Sequence, residues 1–254
     1  MILDARGRSH EFRSEPRRVV SLVPSLSETL FDLGAGSSLV GVTEFCIFPP
    51  VAAQVRSIGG TKTPDLTAIR GLDPDLVHMN LEENLERHAI AIEEFAPVFV
   101  SEPKTVRGVI DLIATLGAIH NRRSESAAWI VSIESELSRG AVLSFTFACA
   151  VWKDPWMWCG GDTYVSDLVS CAGGTNVLAG LKRYPKIPLC DLLAMRPEIV
   201  FLPDEPYAFG SADAGAIAGP EVIGPFPGHL FTWHGTRTLK GLQFLRSSLL
   251  RPRS

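Results

Sequence analysis

The sequence predicts an α/β protein of two similar lobes with parallel sheets, joined by a long interdomain helix. Three observations lead there. From Arg18 onward, short apolar runs alternate with amphipathic helical stretches, the pattern of α/β units with parallel strands. A long helical region lies midway along the chain. One segment of the first half also returns in the second half at a constant offset.

Taken in order, Val19 to Val23 is a short buried-strand run broken by Pro24, and Ser25 or Ser27 can cap a helix over Glu28 to Leu33. Gly34-Ala35-Gly36 closes that helix, because glycine takes the left-handed closing conformation cheaply. Leu39 to Val42 reads as the next strand, followed by loop punctuation at Pro49-Pro50 and Gly59-Gly60. A helix from about Asp65 to Leu72 stops at Asp73-Pro74, and Leu76 to Met79 is a strand. A helix over about Leu85 to Phe95 leads into the strand Val98 to Val100.

The middle region repeats apolar residues at three-and-four spacing, from Val106 through Ile119 and, after a break near Asn121 to Ser124, from Trp129 through Leu137. Periodicity alone fits either an interdomain strut or a crossover helix within one sheet. Beyond it, Val142 to Ala148 reads as a strand and Thr163 to Ser170 as a helix. The repeat favours two lobes. Leu66, Ile69, Leu72, Pro74, Asp75, Leu76 and Val77 are matched by Leu189, Leu192, Met195, Pro197, Glu198, Ile199 and Val200, every pair 123 positions apart. The expected organisation is a tail over 1–17, a Rossmann-like lobe over 18–103, a connecting helix over 104–123 and a second Rossmann-like lobe over 124–254.

Composition narrows the function. A chain of 254 residues, 46% hydrophobic and 20% charged, has the make-up of an ordinary globular protein with room for two cores. Its net charge of -4 and pI near 5.9 argue against nucleic acid as the main partner, since no basic stripe exists to neutralise phosphates. Arg6, Arg8, Arg13, Arg17, Arg18, Arg246, Arg251 and Arg253 gather at the two ends and read as solvated. The five cysteines are widely spaced without a CxxC pair, which excludes a zinc ribbon, argues against a disulfide framework and leaves them as small buried hydrophobes. No run of about 20 apolar residues could span a membrane. The N-terminus lacks an apolar leader core, so the chain as given is expected to stay in the cytoplasm.

No motif marks an enzyme: GxSxG, GxxxxGK[ST] and HExxH are all missing, so no catalytic residue is assigned. Gly59-Gly60-Thr61-Lys62 could present backbone N–H groups and an ammonium to an anion, or be a plain turn. Of the six histidines, His10 and His120 read as solvated, His78 as a core residue, and His229 and His234 as members of a Pro/Gly-rich loop. No pair has the helical spacing of a zinc site, and no resident metal is expected.

Aromatic residues say more. Trp152, Trp156, Trp158 and Trp233 lie in loops, as do Phe45, Phe48, Tyr207 and Phe209. Just past strand ends, such rings either pack lobe to lobe or line a crevice at the carboxyl edge of a parallel sheet, where α/β proteins bind ligands. Flat rings favour a large, partly apolar ligand. Glu82, Glu83 and Glu86 follow one strand, and Asp204 and Glu205 follow its counterpart. They either complement helix dipoles or form one acidic knob per lobe for arginines on a partner.

The segments RVVSLVPSLSETLFDLGAGSSLVGVTEFCIFPP, IGGTKTPDL, LDPDLVHMNLEEN, WKDPWMWCGGDTYVSDLVSCAGGTNV, MRPEIVFLPDEPYAFG and TWHG together resemble the helical-backbone metal receptor superfamily. That class of binding proteins includes vitamin B12, siderophore and haem carriers, and the resemblance is closest to its cobalamin-binding branch. It implies two lobes on one stiff helix, an extracytoplasmic place of work once any leader is removed, and delivery to an ABC permease by a monomer. It implies that Phe45 contacts the corrin and that Glu86 docks onto the permease, with Glu205 or Asp213 as the second-lobe partner. Thr61 and Asn80 stand where the cobalamin branch has aromatic residues, which leaves room for another corrinoid or an iron chelate.

The expected function is reversible binding of a corrinoid or other metal chelate, with no covalent cofactor. The expected ligand set is Phe45, Lys62, Glu83, Trp152, Trp156, Tyr207, Trp233 and His234, in a cleft between the lobes, with Glu86 and Glu205 for docking. The alternatives are an iron-siderophore or haem carrier of the same fold, a histidine-type zinc or manganese receptor, and a cytoplasmic enzyme or chaperone acting on a metal chelate through His234 and Glu83.

Overall fold

Two parallel sheets carry the fold, and the chain divides into two compact units. The computed structural model describes residues 1–250, so Arg251 and Arg253 fall outside the described residues. The first unit comprises Met1–Pro103, Val109–Val131 and Gly235–Arg237; the second takes Lys104–Gly108, Ser132–His234 and the chain from Thr238 onward.

The first unit begins with an antiparallel pair, β1 (Ile2–Leu3) and β2 (Ser9–His10). This end is less solvated than its arginines suggest. Arg6 pairs with Asp4 at 2.8 Å and with Glu93 at 2.9 Å, Arg8 reaches Glu93 at 2.6 Å, and His10 packs edge-on against Phe99. There follow β3 (Val19–Ser21), α1 (Pro24–Asp32), β4 (Leu39–Val42), α2 (Leu66–Gly71), β5 (Leu76–Asn80), α3 (Glu86–Glu93) and β6 (Val98–Ser101). The parallel sheet runs β4-β3-β5-β6, and its two inner strands are buried throughout, as their unbroken apolar runs require.

Neither Ser25 nor Ser27 caps α1. The helix begins one turn earlier, at Pro24, whose missing N–H suits a first-turn position; Val23 precedes it without a side-chain cap. Ser27 turns its hydroxyl back to the Val23 carbonyl at 3.1 Å. Gly34 closes the helix at φ 73°, as the sequence predicts.

The middle region forms α4 (Val106–Ile119) and α5 (Arg123–Ser138), separated where Asn121 takes φ 52°. The chain changes unit after Gly108, inside α4, and again after Val131, inside α5. Both helices therefore belong partly to each unit.

The second unit contains β7 (Phe145–Trp152), β8 (Met157–Trp158), α6 (Tyr164–Ser170), β9 (Gly174–Asn176), α7 (Leu189–Ala194), β10 (Ile199–Pro203), α8 (Ser211–Gly215), β11 (Glu221–Phe226), α9 (His229–Thr232) and α10 (Thr238–Leu249). Its parallel strands run β9-β7-β10-β11, and β8 folds back antiparallel onto the end of β7. The sequence predicts the first of these strands over Val142 to Ala148; it starts at Phe145 and runs on to Trp152.

The internal repeat is structural. α2 and α7, and β5 and β10, begin and end at positions that differ by 123 throughout. Asp73 and Arg196, at the turn between helix and strand, both take positive φ, 47° and 53°. The repeated acid has one task in both places. Asp75 accepts the Arg17 and Arg18 N–H groups at 2.7 and 3.0 Å, and Glu198 accepts the Thr146 N–H at 2.6 Å. Each carboxylate thus fixes the chain just as it enters or approaches the neighbouring central strand.

Candidate functional site

Most of the expected ligand residues lie at or just past the carboxyl ends of parallel strands, the edge at which α/β sheets bind ligands; Trp233 and His234 instead follow α9. In the first unit the loop after β4 carries Phe45 and Ile47, 53% and 56% exposed. That loop is pinned from below by Cys46, whose buried Sγ lies 3.2 Å from both the Ser27 and the Thr43 hydroxyls. Burial pushes the Cys46 thiol up, so it stays protonated and acts as packing.

The Gly59–Lys62 loop sits beside Phe45. A Cβ on Gly60 would come within 3.4 Å of the Phe45 ring, and Gly59 takes φ 87° with the Thr63 carbonyl 2.7 Å from where its Cβ would stand, so glycine is required at position 59. Asn84 holds this region together. Its buried amide donates to the carbonyls of Leu22 and Thr61 at 3.0 Å each and accepts the Asn80 N–H at 2.8 Å. The end of β3, the glycine loop and the end of β5 are thereby tied to one side chain. Asn80 is buried and accepts the N–H groups of Glu82 and Glu83 at 2.8 and 3.3 Å, which makes it a turn-forming residue in place of a wall of the site. Lys62 is exposed and donates to the Glu82 carbonyl; Glu83 and Glu86 are exposed, with Glu86 opening α3.

In the second unit, five rings form a continuous series. Trp152, 42% exposed at the end of β7, meets Tyr207 edge to face at 5.3 Å. Tyr207 lies 4.7 Å from Phe209, Phe209 stacks on Trp156 at 5.6 Å, and Trp156 stacks on Trp158 at 5.1 Å with 10° between planes. Trp158 is fully buried and donates its indole N–H to the Ile187 carbonyl at 2.9 Å. The series therefore runs from solvent to core, with its inner end fixed and its outer end open. Lys153 lies 5.9 Å from the Trp156 ring centroid and pairs with Asp213 at 2.6 Å. The Gly210 N–H and then the Lys153 ammonium hold the Asp213 carboxyl below its ordinary range, while Asp213 raises Lys153. Asp213 is thus engaged within its own unit.

The remaining expected residues lie elsewhere in this unit. Trp233 is half-buried with its ring edge-on to His229 at 5.9 Å. His234 is buried against the Tyr164 ring at 6.3 Å, and burial pulls its imidazole down to about 4. A neutral, enclosed imidazole of this kind contributes packing. Glu205 is half-buried and accepts the Thr232 hydroxyl at 2.9 Å. The structure thus gathers Trp152, Trp156 and Tyr207 in the second unit, and places Phe45 beside the loop of Lys62 in the first. Phe209, Lys153 and Asn84 join these groups; the sequence marks Phe209 only as another loop aromatic and gives no sign of the Asn84 contacts.

Two readings of the histidines need correcting. His120 is fully buried, and so is His78, whose Nε2 lies 2.8 Å from that of His120; His10 is tucked against Phe99. Among the described residues no three His, Cys, Asp or Glu side chains converge as metal ligands would. None of the described helices is long and apolar enough to cross a membrane. A surface hollow of about 610 Å³ lies along the edge strand β4, lined by Phe31, Leu39, Val40, Val55 and Arg56, at the opposite end of that strand from Phe45.

Comparison with known proteins adds to this geometry. The family described as periplasmic binding protein matches residues 19–218. A cobalamin-binding protein of Halobacterium salinarum is 27% identical over 214 residues, covering 78% of this chain and 56% of the relative. The chain therefore spans little more than half the length of that relative. Among solved structures, the periplasmic vitamin B12 binding protein of Vibrio cholerae superposes with a TM-score of 0.75 at 18% identity, over 92% of this chain and 96% of the other. A periplasmic heme binding protein from Pseudomonas aeruginosa gives a TM-score of 0.80 at 21% identity, over 94% and 95%. Both have the same two-lobed α/β fold.

Proposed function

Because the chain belongs to the periplasmic binding protein family, we propose that it is the substrate-binding component of an ABC importer and holds a corrinoid, cobalamin-like ligand reversibly. The observation that carries this reading is the ring series from Trp152 to Trp158, with an anchored inner end and an exposed outer one. Stacked rings that already rest on a buried indole lose little freedom when a flat macrocycle covers them, so less of the binding energy goes to ordering. Trp152, Trp156 and Tyr207 supply the principal apolar surface. In the first unit the candidate ligand contacts are Phe45 and Lys62, with Glu83 on the adjoining loop. The names of the relatives favour a corrinoid.

The same reading assigns the exposed Glu86, and Glu205 in the second unit, to arginines of a membrane permease. It places the protein outside the cytoplasmic membrane when it works. The ligand is bound and released unchanged, and no residue has a catalytic role.

The test is titration of purified protein with cyanocobalamin, cobinamide, haem and ferric siderophores, followed by tryptophan quenching and calorimetry. Micromolar or tighter binding of a corrinoid, with recovery of the intact ligand, is the expected result. Binding of haem or a siderophore alone would move the assignment to that ligand, and turnover would replace it with an enzyme.

A further inference from the structure

We infer that Cys149 and Cys159 are a disulfide-forming pair that closes the β7–β8 hairpin carrying Trp152, Lys153 and Trp156. Sequence spacing gives no hint of it, since nine residues separate the two cysteines and no motif joins them. The sheet does. Ala150 is paired with Trp158 across the antiparallel ladder, and one step further the Cys159 N–H donates to the Cys149 carbonyl at 2.9 Å. The two residues are thus directly opposed. Opposed residues of an antiparallel pair have Cα atoms roughly 4.5–5.5 Å apart, within the range that a disulfide spans. Both thiols are free, and each residue is 1% exposed.

As directly opposed residues, the two cysteines project their side chains to the same face of the strand pair, where the Cys149 Sγ also lies 3.7 Å from the Ala150 carbonyl. The Cys159 side chain, in hydrogen-bond contact, and then burial push the Cys149 thiol well above its ordinary value. The other sulfurs have different company. Cys46 lies in the first unit between Ser27 and Thr43, and exposed Cys190 points to Asp191 at 3.5 Å. Cys171 follows the end of α6, where burial and then Asp167 raise it to about 11.

Buried, protonated thiols exchange slowly, because the attacking species is the thiolate. The bond therefore forms while the hairpin is open, either during folding or when the two-residue β8 detaches. In the reaction, each thiol loses one hydrogen and a bond forms between the two sulfurs. The two electrons and two protons pass to the disulfide of the oxidant, oxidised glutathione in the test below, which leaves as two thiols. The inference does not depend on which ligand the protein binds.

The test is to refold the full-length reduced protein in a mixed oxidised and reduced glutathione buffer, then digest it without reducing agent. Trypsin cuts after Lys153, between the two cysteines, so a link would hold the 140–153 and 154–182 peptides together. The expected result is that joined pair, 2 Da lighter than the sum of the two reduced peptides, and a fall in free thiols in denaturant from five to three. The second peptide also contains Cys171, so the joined pair should persist in Cys171→Ser and vanish in Cys159→Ser. Five free thiols after refolding, or a link to Cys171, Cys46 or Cys190, would overturn the inference. Because the wild-type map is itself decisive, a variant that fails to fold does not leave the question open.

Discussion

His78 and His120 meet through their Nε2 atoms, 2.8 Å apart and wholly out of solvent. One ring must donate and the other accept, so the contact is lost when both are protonated, burial disfavours even a single charge, and both Nδ1 atoms are buried without a hydrogen bond. Burial, then the neighbouring His120 and His10, pull His78 well below its ordinary value. Burial and then Arg122 bring His120 down to about 4, against an opposing pull from Asp75. His234 reaches about 4 by burial alone. In the unfolded chain these rings titrate near 6.5, so below that pH the unfolded state binds more protons. Their stabilisation is complete above about pH 6.5 and drains away as the pH falls toward 4, by up to ~1.4 kcal/mol per pH unit for each histidine. Urea midpoints should therefore drop between pH 7 and pH 5. His120→Asn should flatten that slope, and an unchanged slope would count against the account.

Arg237 grips Glu28 with two contacts of 2.6 Å, through Nε and Nη2, and its guanidinium lies 4.1 Å from the Phe48 ring centroid. Both partners are almost fully buried. Removing either one strands a charge without water, so Arg237→Ala should destabilise by about 3–5 kcal/mol. The double change Glu28→Leu with Arg237→Leu should cost less than the single one. Chemical denaturation of the wild type and these two variants decides this; a double variant less stable than Arg237→Ala would contradict it.

The ring series predicts a split between stability and binding. Trp152→Ala trims an exposed ring and should leave the unfolding midpoint nearly unchanged, while weakening the ligand by about 1–3 kcal/mol, or roughly 5- to 150-fold. Trp158→Ala should instead cost about 3–5 kcal/mol of stability, because it empties a core site. Calorimetric titration beside thermal unfolding separates the two effects. A Trp152→Ala protein that binds as tightly as the wild type would remove Trp152 from the site.

Asn84→Ala should release the Leu22 and Thr61 carbonyls and the Asn80 N–H together. Buried groups left unpaired cost about 1–3 kcal/mol each at most, and the loop is where the slack should show. Hydrogen exchange at residues 59–62 should quicken more than exchange in β3 or β5. Uniform quickening would instead mean general destabilisation.

Much of the fold was legible in the sequence because it follows from local rules. The α2–β5 and α7–β10 units could be read from their helix face, proline stop and β-branched run, and even the paired acids were visible. Their task was not, since it involves backbone of a strand 57 or 52 residues away. Aromatic residues in loops could be seen, but the order of stacking depends on β8, a two-residue strand too short to leave a pattern. His120 looked solvated because it lies just past the end of α4, and its partner is 42 residues away. Glu28 and Arg237 are 209 residues apart, and nothing local to either predicts the other.

The three residues Gly235–Arg237 belong with the first unit although the chain on both sides of them belongs to the second. Neither unit is therefore one uninterrupted run of codons. A gene cut at codon 234 would also harm α1, near the opposite terminus, by taking the two Arg237 hydrogen bonds from the buried Glu28. Thr29 and Asp32 would lose their bonds to Thr236 as well. Recombination that exchanges one lobe for a relative's must carry this tripeptide with the amino-terminal half, and libraries of chimeras with a single crossover should be depleted accordingly.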